Sequence, residues 1–312
     1  MMRRRRFLLS AGAVLVLAAC DEGEGGKAGP RKTIALVMKT LDNPFFVEMA
    51  KAGPRAERDW PIAVRIEAPA KETSVDEQIG LVETLLKQRV DAIVIAPADS
   101  VKLIPVLKKA RDSGIVVVNI DNRLDQNIAG DLGLVGVPYV GVDNVTGAYM
   151  AAQAIVAQVT GPAKAAVIEG IRNAANAQAR KIGALKAFSQ RSDITVVGSI
   201  SADWLRDKAA DAVQRLLKEH PDLRLVFAAN DVMALGVLDH LERAGRQDIV
   251  VAGYDALPEA VARLGKGLTA TVDQQAEEQG YQGIAAAWTL LNGGQVAGER
   301  LVDLRLVTVP ER

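Results

Sequence analysis

Amides and carboxylates recur along this chain at corresponding places: Asn43, the triplet Asp121, Asn122 and Arg123, then Asn230, Asp255 and Gln274. Each follows a short β-prone run, and none is a thiol, an imidazole or a serine beside a base. Such a set suits recognition better than bond-making. A carboxylate accepts from two hydroxyl groups at once, while an amide both donates and accepts, so the set matches a polyhydroxylated ligand. Aromatics are scarce at 4%, yet Phe45 and Phe46 sit side by side in the first turn of an expected helix, where adjacent positions do not share one face. One of the two is therefore expected to face a crevice. Trp204, beyond another β-prone run, offers a flat apolar face to a ring, or else simply fills a core. Asn and Asp are also favoured turn and cap residues, and Asp231 is read as that alone. Recurrence in both halves of the chain favours one shared polar crevice over independent caps.

The elements that must position these residues alternate. β-prone runs are expected at Thr33–Met38, Ala63–Glu67, Asp91–Ile95, Ile115–Ile120, Lys164–Glu169, Thr195–Ile200, Leu223–Ala228, Ile249–Tyr254 and Leu268–Val272. Between them lie amphipathic helical patterns at Phe45–Asp59, Ser74–Arg89, Val101–Asp112, Ala177–Gln190, Arg206–His220, Val232–Arg243 and Pro258–Leu264. This alternation predicts an α/β fold of two Rossmann-like, doubly wound parallel sheets. Open parallel sheets place ligands beyond the carboxyl ends of their strands, which is where the polar inventory falls. A long helix over Ala276–Asn292 and a last strand over Leu301–Thr308 have no lobe of their own and should return to the existing ones. The stretch Leu124–Tyr139 reads as irregular.

Whole-chain properties narrow the options. At 312 residues the chain is long enough for two lobes. Lys plus Arg equals Asp plus Glu at 38 each, so no bulk positive field draws nucleic acid, and a near-neutral ligand is expected. Arg3 to Arg6 precede an apolar run that ends at Leu17-Ala18-Ala19-Cys20, which resembles the signal segment and lipobox of a bacterial lipoprotein. Cys20, the sole cysteine, is expected to carry lipid and hold the chain to a membrane at the periplasmic side. Arg4 to Leu8 also resembles a twin-arginine signal, so the export route stays open. Residues 21–31 read as a flexible tether.

The strings Thr33-Ile34-Ala35-Leu36-Val37, Asn43-Pro44-Phe45-Phe46, Ala202-Asp203-Trp204, Ala229-Asn230-Asp231, Gly253-Tyr254-Asp255 and Ala270-Thr271-Val272 resemble the ribose-binding family of periplasmic sugar-binding proteins, in order and nearly in spacing. The resemblance implies a type I periplasmic binding protein fold with a three-segment hinge near Asp143-Asn144, Asp273 and Gly298 to Leu301. It divides the chain into a first lobe of 32–143 plus 274–300 and a second of 144–273 plus 301–312, after a signal of 1–20. It further implies a monosaccharide or cyclitol ligand held by Asn43, Phe45, Phe46, Asp121, Asn122, Arg123, Trp204, Asn230, Asp255 and Gln274, and the permease of an ABC importer as partner. A monomer without cofactor is expected. Two departures bear on the ligand. Ribose binders carry arginine directly after the aspartate, where this chain has Asn122 before Arg123, and a second ligand arginine aligns with Gln178, with Asn176 as competitor. Pentose, hexose and inositol-like ligands therefore stay open.

Rival functions lack parts. No Gly-x-Ser-x-Gly elbow, no Gly-x-Gly-x-x-Gly after the first strand and no metal-spaced histidine pair is present, and His220 and His240 fall near helix ends. A regulator built on the same core would need a DNA-reading module where this chain has its signal and tether. Presentation of the loaded protein to a chemoreceptor or sensor kinase remains compatible with the sequence.

Overall fold

A computed structural model describes residues 31–309. The signal and lipobox readings, Cys20 included, lie outside the described residues. Along the first half run β1 (Lys32–Val37), α1 (Pro44–Ala50), α2 (Ala52–Asp59), β2 (Ile62–Glu67), α3 (Val75–Lys87), β3 (Ala92–Ile95), α4 (Ile104–Asp112), β4 (Val116–Ile120), α5 (Gln126–Asp131) and β5 (Tyr139–Gly141). The second half holds α6 (Asn144–Val156), β6 (Ala163–Glu169), α7 (Ala175–Ser189), β7 (Ile194–Ser201), α8 (Arg206–Glu219), β8 (Leu223–Ala228), α9 (Asp231–Arg243), β9 (Val250–Ala252), α10 (Pro258–Val261) and β10 (Leu268–Asp273). Helix α11 (Ala276–Leu291) and strands β11 (Glu299–Leu301) and β12 (Arg305–Thr308) close the chain.

The strands form two six-stranded sheets, ordered β11-β5-β4-β3-β1-β2 and β12-β10-β9-β8-β6-β7. Every pairing is parallel except that of β12 with β10. Parallel strands covered on both faces read as continuous apolar runs, as in the wholly buried Ala92–Ile95 of β3. Alternation then divides the core: Ile34 and Leu36 of β1, with Met38 just beyond it, pack with Phe46 and Met49, while Ala35 and Val37 pack with Val82, Leu85 and Leu107.

Three segments cross between the sheets: β5 to α6, β10 to α11, and β11 to β12. They are tied together, for Val302 N donates to Gly141 O at 2.7 Å and Gln275 Nε2 to Asp303 O at 2.6 Å.

Four local expectations change. The helix read over Phe45–Asp59 breaks at Lys51 into α1 and α2. Helix α6 has no counterpart in the sequence reading, because its buried face is largely Ala148, Ala151 and Ala152, too small to print an amphipathic stripe. The Leu124–Tyr139 stretch contains α5, capped by Asp125, whose carboxylate accepts from the amides of Asn127 and Ile128. The single last strand is two, one in each sheet, with Asp303 between them.

Candidate functional site

Residues from both sheets and from the β10–α11 crossing converge on one small cavity, lined by Lys39, Asn43, Phe45, Phe46, Glu72, Asp121, Asn176, Arg180, Trp204, Asn230, Asp255 and Gln274. From the first lobe, Asn43 caps α1: its Oδ1 accepts from Phe45 N at 3.0 Å, and its Nδ2 donates to Glu72 Oε1 at 2.8 Å. Pro44 at the first helical position needs no N–H partner. Phe45 and Phe46 both border the cavity, where adjacency in the helix alone pointed to one and the resemblance implied both. Their rings meet edge to face, with centroids 5.1 Å apart and planes at 76°.

Asp121 follows β4 with φ 57, in the left-handed region that non-glycine residues seldom occupy. Its Oδ2 lies 2.8 Å from Lys39 Nζ, both side chains being nearly solvent-free, and has no other polar partner among the described residues. Lys39 Nζ also stands 5.6 Å from the Phe46 ring centroid. Burial pushes the Glu72 carboxyl above its usual range, against the pull of Lys39 and the Asn43 amide.

The second lobe supplies a guanidinium. Arg180 Nε donates to Asn144 Oδ1 at 2.8 Å, its Nη1 donates to Ala229 O at 2.9 Å, and Nη1 reaches Asp255 Oδ1 at 3.4 Å. Its planar head lies 3.9 Å from the Tyr254 ring centroid and 5.7 Å from that of Trp204. Asp255 also accepts from Gln274 Nε2 at 2.7 Å, and its φ is 117. Burial raises the Asp255 carboxyl well above the ordinary carboxylate value, with Arg180 opposing. Trp204 has φ 66, and its ring fills the space beside Gly170, where a Cβ would come within 2.2 Å of two ring atoms. The Trp204 indole N–H and the Asn176 side-chain oxygen are buried at this cavity with no hydrogen-bond partner among the described residues. Asp121, Trp204 and Asp255 thus all hold backbone conformations that cost of order 1–3 kcal/mol each, a pattern that clusters at ligand clamps.

Three expected residues lie elsewhere. Gln178 turns away and donates to Arg172 O at 2.9 Å. On a helix, positions 176 and 180 share a face one turn apart, whereas 178 lies on the other side. The pocket therefore keeps an arginine, at Arg180, rather than losing one at Gln178. Arg123 pairs with Glu299 and stacks on the Tyr139 ring at 3.8 Å, outside the cavity, in a neighbouring hinge-side recess. Asn122 is fully buried and bonds to Pro97 O and Ser100 Oγ instead of lining the cavity. Sequence reasoning missed Lys39, Glu72 and Arg180. Lys39 had a usable signal, since it directly follows the β-prone run Thr33–Met38 and so stands at the crevice edge. Asn230 is the N-cap of α9, whereas its neighbour Asp231 is a buried acceptor for Leu257 N and Thr271 Oγ1, both at 2.8 Å, rather than a plain turn residue.

Among the described residues no cluster of His, Cys, Asp and Glu is placed to hold a metal ion. The D-ribose/D-allose-binding protein of Pseudomonas aeruginosa is 37% identical over 313 residues, covering 96% of this chain and 97% of that one. The D-allose-binding periplasmic protein of Escherichia coli is 34% identical over 283 residues, covering 88% and 91%. A solved ABC transporter periplasmic solute binding protein from Actinobacillus succinogenes, with bound D-allose, superposes with a TM-score of 0.85 at 34% identity, covering 89% of this chain and 98% of that one. A family model for the periplasmic binding protein domain spans residues 34–295, from within β1 to just past α11, and so takes in each sheet except its last strand, and all the residues that line the cavity. With a family match of that extent and relatives similar over nearly their whole length, the chain belongs to the periplasmic binding proteins.

Proposed function

We propose that this chain captures one aldose between its lobes outside the cytoplasm and delivers it to the permease of an ABC importer. The observation that carries this reading is the pair of carboxylates with nearly solvent-free side chains, Asp121 from one lobe and Asp255 from the other, facing a single cavity walled by Phe45, Phe46 and Trp204. Carboxylates and amides accept and donate to the hydroxyls, Lys39 and Arg180 donate, and the aromatic rings cover the C–H faces. D-Allose and D-ribose are the first ligands to test, because similar proteins carry those names or that sugar. The three crossings serve as a hinge, and the lobes close because only the closed state gains contacts from both. Binding without chemistry fits a site that pairs no nucleophile with a base.

A thermal-shift screen over pentoses, hexoses and cyclitols tests the reading: at a hundredfold excess over Kd, a ligand of the folded state adds about 2.7 kcal/mol of stability. A shift with an aldose supports it, and no shift with any of the three classes refutes it.

The anchor reading rests on the sequence: Cys20 receives lipid and holds the protein at the membrane, two or more acyl chains being needed for stable attachment. Cys20→Ser should release folded protein or leave the signal uncleaved. Unchanged membrane fractionation of processed protein would contradict it.

A further inference from the structure

Helix α7 begins without a cap of its own. Its N-cap residue, Ala174, has no side chain to accept from the first-turn amides. Two of those amides are nonetheless satisfied by the other lobe. Ala175 N donates to Ser100 Oγ at 3.1 Å, and Asn176 N donates to Asn122 Oδ1 at 3.2 Å. A third bond runs the other way, from Ser100 N to Asn173 O at 3.3 Å. The first lobe holds its acceptors firmly. Asn122 Nδ2 donates to Pro97 O at 2.8 Å and to Ser100 Oγ at 3.3 Å, and Asp125 N donates to Ser100 O at 2.8 Å. Asn122 is 0% exposed and Ser100 7%.

We propose that Asn122 and Ser100 form a latch that favours lobe closure whether or not ligand is present, by capping α7 across the cleft. Neither residue lines the sugar cavity, so neither reads the ligand. Parting the lobes hands the Ala175 and Asn176 amides to water, so the bonds act only on the closed state and set the fraction of protein that is closed. Apparent affinity scales with that fraction. Asn176 joins latch to ligand: its backbone is held by Asn122 while its side-chain oxygen, without a partner among the described residues, faces the cavity. Closure therefore also positions a ligand acceptor.

The ligand consequence rests on the function proposed above, whereas the latch itself does not. Two measurements on the full chain separate them, using wild type, Asn122→Ala and, should that variant fold poorly, Ser100→Ala. The first is residue-resolved amide exchange of the ligand-free protein, in which Ala175 and Asn176 should exchange faster in the variants. The second is calorimetry with D-allose and D-ribose. Loss of a cap costs a helix enough to weaken binding ~2–30-fold, by one common factor for both sugars. Unchanged exchange at the two amides would overturn the latch. So would a changed allose-to-ribose ratio, which would make Asn122 a ligand contact. If wild type binds neither sugar, the functional reading fails while the exchange result still decides the latch.

Discussion

Replacing Asp255 tests how the second lobe reads its ligand. Its carboxylate accepts from Gln274 Nε2 at 2.7 Å and from Arg180 at 3.4 Å, and its side chain is 3% exposed. In the variant Asp255→Ala the ligand loses at least one hydrogen bond to a charged group. Such a bond is worth about 1.5–3 kcal/mol, which is ~10–150-fold in Kd. The empty protein is also affected. Arg180 and Gln274 belong to the same lobe and its crossing, and they stay beside Asp255 when the lobes part. Removing one member of a buried ion pair costs about 3–5 kcal/mol where the other is stranded. Arg180 keeps Asn144 Oδ1 and Ala229 O as acceptors, and an open cleft admits water, so a loss of about 1–3 kcal/mol is expected. Asp255→Asn retains the volume and one acceptor, and should lose affinity in the same range while melting closer to wild type. Titration calorimetry beside ligand-free melting temperatures measures both. Near-normal affinity in the two variants would refute the placement of the site. A large stability loss in Asp255→Asn without loss of affinity would make the carboxylate structural.

Gly170→Ala should lower both melting temperature and affinity, because the new Cβ would lie 2.2 Å from the Trp204 ring and overpacking of this kind costs about 1–3 kcal/mol; unchanged values for both would mean that the ring has room to move. The buried Asp231 carboxyl is pushed up to about 7, so its protonated form stabilises the fold below about pH 4 and that contribution disappears as pH rises through 7. Wild type should therefore lose up to ~4 kcal/mol from this group across that window. Melting curves of wild type and Asp231→Asn between pH 4 and 8 should diverge, and parallel curves would contradict the assignment. Small-angle scattering should show a smaller radius of gyration in saturating D-allose or D-ribose, whereas no change on binding would exclude hinge closure.

The strand-end rule brought Asn43, Asp121, Asn230, Asp255 and Gln274 to one cavity, because in a parallel sheet the position after a strand has one destination. Arg180 escaped that rule because it sits on a helix, where a shift of two residues from an alignment reverses the face presented. Asn122 and Arg123 escaped it for a different reason. Asp121 adopts φ 57, and the turn it makes sends the next side chain into Pro97 and Ser100 and the one after toward Glu299. Residue type alone does not reveal a left-handed aspartate. The break at Asp303 is equally local: apolar residues on both sides of it read as one strand until each is paired with a different sheet.

The central claim is that one aldose is held between the lobes by the groups of both. Titration calorimetry of the ligand-free protein with D-allose and D-ribose tests it most directly. Saturable binding of at least one of them at one molecule per chain, weakened in Asp121→Ala and in Asp255→Ala alike, is the expected result. Binding that survives either substitution undiminished, or no binding of either sugar, would contradict it.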